Sequence, residues 1–429
     1  MRIEGKTRKI LLAVLILGAF LFLAEHLFCD RWGLQQYDFM WSKWQLDSEE
    51  WVVDKIIDAR INGIGNYNGM MVEYQQQIGF AGMLFSAVDK LAAPHASFTD
   101  PIPKDVMCGL NVVIFSVLFF ILLYWLYREF GFWTAGIVYA TLLFTNWTGY
   151  STRNIYWVTW TMILPMIVLL ILMMWEERHS RMKNGWLFLL SCLTIFLRSA
   201  CGYEFISCVM VALELPLIYY AIKQAWGWRM YLKRAFIAGA GAMIGFAGAL
   251  FVNLALMAGL RGWKDAVDYM VFISARRTGY VTLNSFDSDV LKAFDVPLLD
   301  VFKMYWMGDW DVPLFGNWHL SFLIPLFFVP AVVMLVLMLI QEKNRREITG
   351  LRFRMEPDER KTFGLILVMI VSLLGPVSWL VLAKGHAVHH PHIDYVIFCL
   401  PFTMIGFAST AQIIKCWVEQ AVKYAKEKK

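Results

Sequence analysis

About ten stretches of this chain, near residues 10–28, 106–127, 132–147, 156–175, 186–200, 204–222, 235–258, 319–340, 362–383 and 395–415, are apolar and nearly free of charge. About 17 to 25 apolar residues wound as a helix span the roughly 30 Å hydrocarbon core of a bilayer. Within lipid a segment must satisfy its own backbone hydrogen bonds, and a helix does so. The predicted fold class is therefore an all-α polytopic membrane protein, one integral membrane domain over residues 1–429. Charged residues are 17% of the chain and hydrophobic ones 59%, whereas a soluble domain is about one quarter charged. The 19 Trp and 17 Tyr suit the lipid interfaces, where a ring with one polar atom sits well. The formal charge of +5 needs no nucleic-acid partner.

Charge alternates along the connections. Arg2 to Lys9, Arg178 to Lys183, Lys223 to Arg234, Lys343 to Lys361 and the tail to Lys429 are basic, and the positive-inside rule puts them, with both termini, in the cytoplasm. The N-terminal apolar run is longer than a signal-peptide core and lacks an A-x-A cleavage site, so it reads as a retained anchor. A first outer loop at 29–105, a second at 259–318 and short turns around 148–155, 198–204 and 384–394 then face outward. Chemistry is expected on that face. The seven Cys show no C-x-x-C spacing and read as small core residues rather than as a disulfide framework or zinc site.

In the first outer loop, LDSEEWVVDKIIDARINGIG (46–65) places Val53, Ile56, Ile57, Ile61 and Ile64 at helical spacing, with Glu50, Asp54 and Asp58 on another face. That is an amphipathic helix lying along the membrane surface. Asp47 and Glu50 have the spacing of a capping box, the plainer explanation for both. A second surface helix is expected in EYQQQIGFAGMLFSAVDKL (73–91), where Gln75, Gln76 and Gln77 could bond a sugar, although nothing in the spacing requires it. FLRSACGYEFIS sets Arg198 and Glu204 between two spans with almost no loop. Charges there pair with each other or face a wet cavity.

In ISARRTGYV, Arg276 and Arg277 offer planar forks of donors that match phosphate oxygens; snorkelling to lipid headgroups is the alternative. YWMGDWDVPLFGNWH alternates Trp306, Trp310 and Trp318 with Asp309, Asp311 and His319, a pattern for stacking and hydroxyl binding of sugars or for interfacial anchoring. KGHAVHHPHIDYV carries four of the eight His. His386, His389, His390 and His392 have spacings that admit metal ligands, but Pro391 interrupts any helix that would align them, so the zinc signal is weak and no cofactor is expected.

The acidic cluster, the aromatic, the helix with Ala-Arg and the following Asn-Gly, all just after the first span, resemble the first external loop of polyprenyl-phosphate-dependent glycosyltransferases of the GT-C superfamily. The superfamily includes the protein O-mannosyltransferases and lipid A aminoarabinose transferases. The resemblance implies a general base among Asp47, Glu49 and Glu50, with Asp47 first and Glu50 second. The basic residue followed by Gly-Tyr-Glu, here Arg198, Tyr203 and Glu204, is similar to a stretch of bacterial enzymes of this type and implies substrate contacts; the stacking and hydroxyl-binding pattern above adds Trp310 and Asp311 to them. LAKGHAVHHPHIDYVIFCLPF resembles the end of a group of bacterial GT-C-like proteins. By that likeness Lys384, His386 and His392 join Arg276 and Arg277 in holding the donor phosphate, while Asp394 departs from the pattern.

The resemblance thus implies a GT-C-like fold of roughly ten spans in a bacterial plasma (inner) membrane. It implies an inverting transfer from a polyprenyl-phosphate-linked sugar to a glycan or lipid acceptor, among membrane lipids and without nucleic acid. A lipid-linked glycan flippase, an envelope acyltransferase and a non-catalytic assembly subunit are the alternatives.

Overall fold

The computed structural model describes residues 5–29, 48–54, 56–57, 77–92, 104–179, 184–281, 286–307, 318–349 and 355–428. Among these residues all regular structure is helical and no strand occurs. Eight helices among the described residues are long and apolar enough to cross a membrane: Lys104–Phe130, Trp160–His179, Asn184–Cys201, Ile206–Lys223, Trp228–Arg261, Leu320–Lys343, Pro357–Leu382 and Phe398–Glu427. Ala13–Cys29 and Phe132–Leu143 are shorter apolar helices. The chain is a multi-pass membrane protein, and the ten expected segments each coincide with one of these elements.

Where the helices differ from the expected ones, the backbone gives the reason. The span expected at 156–175 begins only at Trp160, because Asn154 to Thr159 form a buried non-helical segment. Leu400 leaves helical geometry, with φ −123° and ψ 100°, since Pro401 crowds the α region of the residue before it. Among the described residues, the 259–318 segment holds three helices, Trp263–Thr278, Ser288–Asp295 and Leu298–Met307. They are amphipathic and too short to register as spans. In the first loop Val52 and Ile56 are buried while Glu50 and Asp54 are exposed, the expected amphipathic division. The second surface helix is Phe80–Ala92.

The helices pack without help from a hydrophobic effect between them, since lipid is as apolar as they are; close backbone approach and interhelical polar contacts do the work. Asn184–Cys201 lies along Trp228–Arg261, where Gly241 and Gly245 let the backbone meet the Phe188 and Cys192 carbonyls. At one end of the bundle Lys223 Nζ bridges Glu129 (2.7 Å) and Glu177 (2.5 Å), and Arg234 pairs with Glu176 at 2.5 Å. Thr161, near the start of the helix that carries Glu177, sits about 24 Å away at a rise of about 1.5 Å per residue. The opposite end, around Thr161, carries the unusual polar residues. All seven cysteines are free.

Candidate functional site

The site grows out of the buried segment Asn154 to Thr159. Its irregular backbone finds partners in side chains: Asn111 Nδ2 donates to the Asn154 carbonyl (3.1 Å), Trp160 Nε1 donates to Asn111 Oδ1 (3.0 Å), and Asn154 Oδ1 accepts the Trp157 N–H (2.7 Å). The Ile155 N–H donates to Ser48 Oγ at 3.2 Å, which ties the connection after the first apolar helix to this segment. Non-helical backbone at membrane depth survives only where it is buried in protein and satisfied in this way.

Arg198 completes the support. Its guanidinium donates to the carbonyls of Trp157 (2.9 Å) and Glu204 (2.8 Å) and to Thr161 Oγ1 (3.2 Å), and the residue is 1% exposed. Each bonded carbonyl precedes a residue with left-handed φ, Val158 at 47° and Phe205 at 61°. Arg198 therefore staples two strained turns together and does not line the cavity described below. The expected Arg198–Glu204 contact exists, but through the Glu204 main chain; the Glu204 carboxylate instead takes Arg277 at 2.5 Å.

A second close approach brings Arg276 and Arg277 to the histidines. Gly279 (φ 70°) and Gly385 pack backbone to backbone. A Cβ on Gly279 would lie 2.8 Å from the Gly385 nitrogen, and one on Gly385 would run into the Arg276 carbonyl. Only glycine permits this contact at both positions. Gly385→Ala is expected to push the Trp263–Thr278 helix off the histidine segment, costing roughly 1–3 kcal/mol as overpacking does, and a thermal melt of the purified protein against wild type measures it.

Arg276, Arg277, Glu204, Tyr156, Trp157, His386, His389 and His390 line a cavity of about 210 Å³. Behind it, Asp394 is fully buried. Its carboxylate accepts the indole N–H of Trp379 (Oδ2, 2.8 Å) and lies 2.9 Å (Oδ1) and 3.1 Å (Oδ2) from His386 Nδ1. A carboxylate at Nδ1 sets the tautomer with its proton there, leaving the Nε2 lone pair on the other side of the ring. Phe205, held by its left-handed backbone, packs edge-on against His386, Trp379 and Trp157. The answer to the histidine run is thus a carboxylate-backed imidazole. Among the described residues no group of three His, Cys, Asp or Glu is placed to hold a metal ion.

The other expected site residues fall elsewhere. Lys384 is buried and caps the Ser288–Asp295 region, donating to the carbonyls of Phe294 (2.7 Å) and Val296 (3.1 Å), with its ammonium over the Tyr280 ring. Its charge serves the scaffold rather than the cavity. The Tyr203 hydroxyl donates to the Ala249 carbonyl. Glu50 is exposed. Asp47, Trp310 and Asp311, and the side chains of Glu49 and His392, lie outside what the structure describes. Tyr156, Trp157 and Trp379 were not singled out from the sequence; Trp157 and Trp379 sit in apolar runs, where an aromatic reads as core.

Burial opposes ionisation of Glu204, but the guanidiniums of Arg277 and Arg198 outweigh it and hold its carboxyl below the usual carboxylate range. A carboxyl depressed on folding adds stability above its unfolded pKa, about 4.3, and loses it as pH falls through the folded value. The wild-type melting midpoint should therefore fall more steeply than that of Glu204→Gln below about pH 4; parallel slopes in a pH series would contradict the pairing. Compared with protein-family models, curated proteins and solved structures, the chain gives no match.

Proposed function

We propose that the protein is a glycosyltransferase that moves a sugar from a polyprenyl phosphate to a glycan or lipid acceptor of the cell envelope, in this cavity at the outer face of a bacterial plasma membrane. The observation that carries the reading is convergence: two arginines and three histidines from segments far apart in the chain line one polar cavity, with a buried carboxylate behind His386. Cations beside a polar cavity suit a lipid phosphate, whose negative charge grows as it leaves. Among the described residues Arg276 has no carboxylate partner, and it is exposed.

The reaction forms one bond and breaks one. The acceptor hydroxyl oxygen bonds to the anomeric carbon as the bond from that carbon to the phosphate oxygen breaks, and the electron pair leaves with the phosphate. The hydroxyl proton needs a base. The resemblance points to Asp47 or Glu50, and the contact of Ser48 with Ile155, next to the wall residues Tyr156 and Trp157, supports a role for that segment. The carboxylate-backed imidazole supports a second assignment, in which Nε2 of His386 takes the proton. Arg276 and Arg277 then hold the leaving phosphate.

The His386–Asp394 pair also favours a second reading, acyl transfer to an envelope sugar, which uses the same kind of base. Mass spectrometry of envelope glycans from a deletion strain, complemented with wild type or His386→Ala, separates the two. Loss of one sugar in the deletion and in the variant supports the glycosyltransferase; loss of an acyl group supports the alternative. A normal profile in both strains overturns both.

A further inference from the structure

The Trp263–Thr278 helix has two unlike sides. Ile273, Arg276 and Arg277 line the polar cavity. Val267, Val271, Ser274 and Thr278, at i, i+4, i+7 and i+11 spacing, form a separate stripe. With Leu250, Phe251 and Leu254 of the Trp228–Arg261 helix they wall an apolar groove of about 560 Å³, within the roughly 300–1,000 Å³ of ligand clefts. The Thr278 hydroxyl donates to the Ala275 carbonyl at 3.2 Å and needs no partner from outside.

The height of the groove narrows its occupant. The Tyr203 hydroxyl donates to the Ala249 carbonyl at 3.2 Å, which sets Ala249 level with the turn that ends the Asn184–Cys201 span. The Trp228–Arg261 helix runs on for about 18 Å past that level, at a rise of about 1.5 Å per residue. Gly262 (φ 86°) then turns the chain back into Trp263–Thr278. Phe251 is 64% exposed and Val271 54%. Bilayer hydrocarbon covers such surface only as far as the spans reach, and beyond them an apolar groove calls for an occupant of its own. An extended peptide would set unpaired backbone amides against these side chains, whereas a hydrocarbon chain has none to pair. Arg276, between Ser274 and Thr278 in the chain, is exposed and offers its guanidinium to a phosphate at the same end of the helix.

We propose that this groove holds the hydrocarbon chain of the phosphate lipid whose head occupies the polar cavity, the chain passing over the Thr278–Gly279 end of the helix. The site rests on the glycosyltransferase reading and adds to it where the donor's isoprenoid chain lies. Head and chain are then read by opposite sides of one helix, and the chain leaves the bilayer along the hairpin that carries Arg276.

The test is photo-cross-linking of geranylgeranyl phosphate to the full chain in phosphatidylcholine nanodiscs, read by intact-protein mass spectrometry. p-Benzoylphenylalanine replaces Val267 or Val281, two positions that line the groove, or Val252, which is exposed but does not line it. Adducts of the probe should form at 267 and 281 and be about tenfold fewer at 252. Arg276→Ala should lower the groove adducts about tenfold, the loss expected for about 1.4 kcal/mol of contact with the phosphate. Val271→Trp, which fills the groove from an exposed position, should abolish them without moving the melting midpoint. Adducts of phosphatidylcholine alone, cross-links to a second copy of the chain, equal yields at 252, or yields unmoved by Arg276→Ala would each overturn the site. The deletion strain's glycan profile judges the transferase separately: a lost sugar without groove adducts keeps that reading and removes the groove, while a normal profile with adducts removes the reading and keeps a phosphate-lipid site.

Discussion

Arg198→Ala is expected to leave little folded protein in the membrane, the largest stability loss of any single substitution in this site. The guanidinium is the donor for two main-chain carbonyls and one hydroxyl, all buried. Removing it strands those acceptors, at roughly 1–3 kcal/mol each. Both carbonyls also adjoin backbone that is held in a rarely populated region, Val158 and Phe205, where strain of on the order of 1–3 kcal/mol persists only because the surroundings enforce it. A total of several kcal/mol is a large part of the roughly 5–15 kcal/mol that stabilises a typical domain. Arg198→Lys should recover only part of the loss, since one ammonium cannot reach Trp157, Thr161 and Glu204 together with the planar fork that arginine supplies. Size-exclusion profiles and thermal midpoints of detergent-solubilised variants give the measurement. Monodisperse Arg198→Ala at wild-type yield and midpoint, but without activity, would move this arginine from scaffold to substrate.

The spans were legible because hydropathy alone reports them. The partners of the charges were not. Arg198 and Glu204 are six residues apart in FLRSACGYEFIS and invite an ion pair, yet the sequence carries no sign that the guanidinium bonds carbonyls, since every residue has one. Lys384 was expected at a phosphate for its charge and place, but two carbonyls near the end of the Ser288–Asp295 helix claim it first. Val158 defeats reading by propensity altogether: a β-branched residue at φ 47° is adopted under tertiary compulsion. The Gly279–Gly385 contact was hidden for a different reason. Each glycine stands in an ordinary turn-like context, and only the fold sets them against each other. Asp394 departed from the pattern of the resembled sequences, and that misfit was the signal that could have found the imidazole's partner.

His386→Ala should lower the transfer rate by about 10²- to 10⁴-fold, the usual contribution of a positioned proton-transfer group, while leaving the melting midpoint close to wild type. The ring borders the cavity and its removal strands one carboxylate contact, which Trp379 still shares. Asp394→Asn tests the arrangement more sharply. Asparagine keeps the shape but offers one acceptor and one donor where two donors, the Trp379 indole and the His386 Nδ1–H, converge. Either a donor meets a donor, or the imidazole moves its proton to Nε2, which then faces the acceptor hydroxyl with the wrong valence. The rate should fall by at least about tenfold with substrate binding little changed, because the loss lies in proton transfer and not in contact with the substrate. Trp379→Phe removes one donor from Asp394 without altering the His386 contact and should cost less. A purely structural role for the carboxylate predicts the reverse: Asp394→Asn protein that melts early yet, per folded molecule, turns over like wild type. Unchanged turnover in His386→Ala would remove the imidazole from the chemistry and return the base to the acids that open the first outer loop.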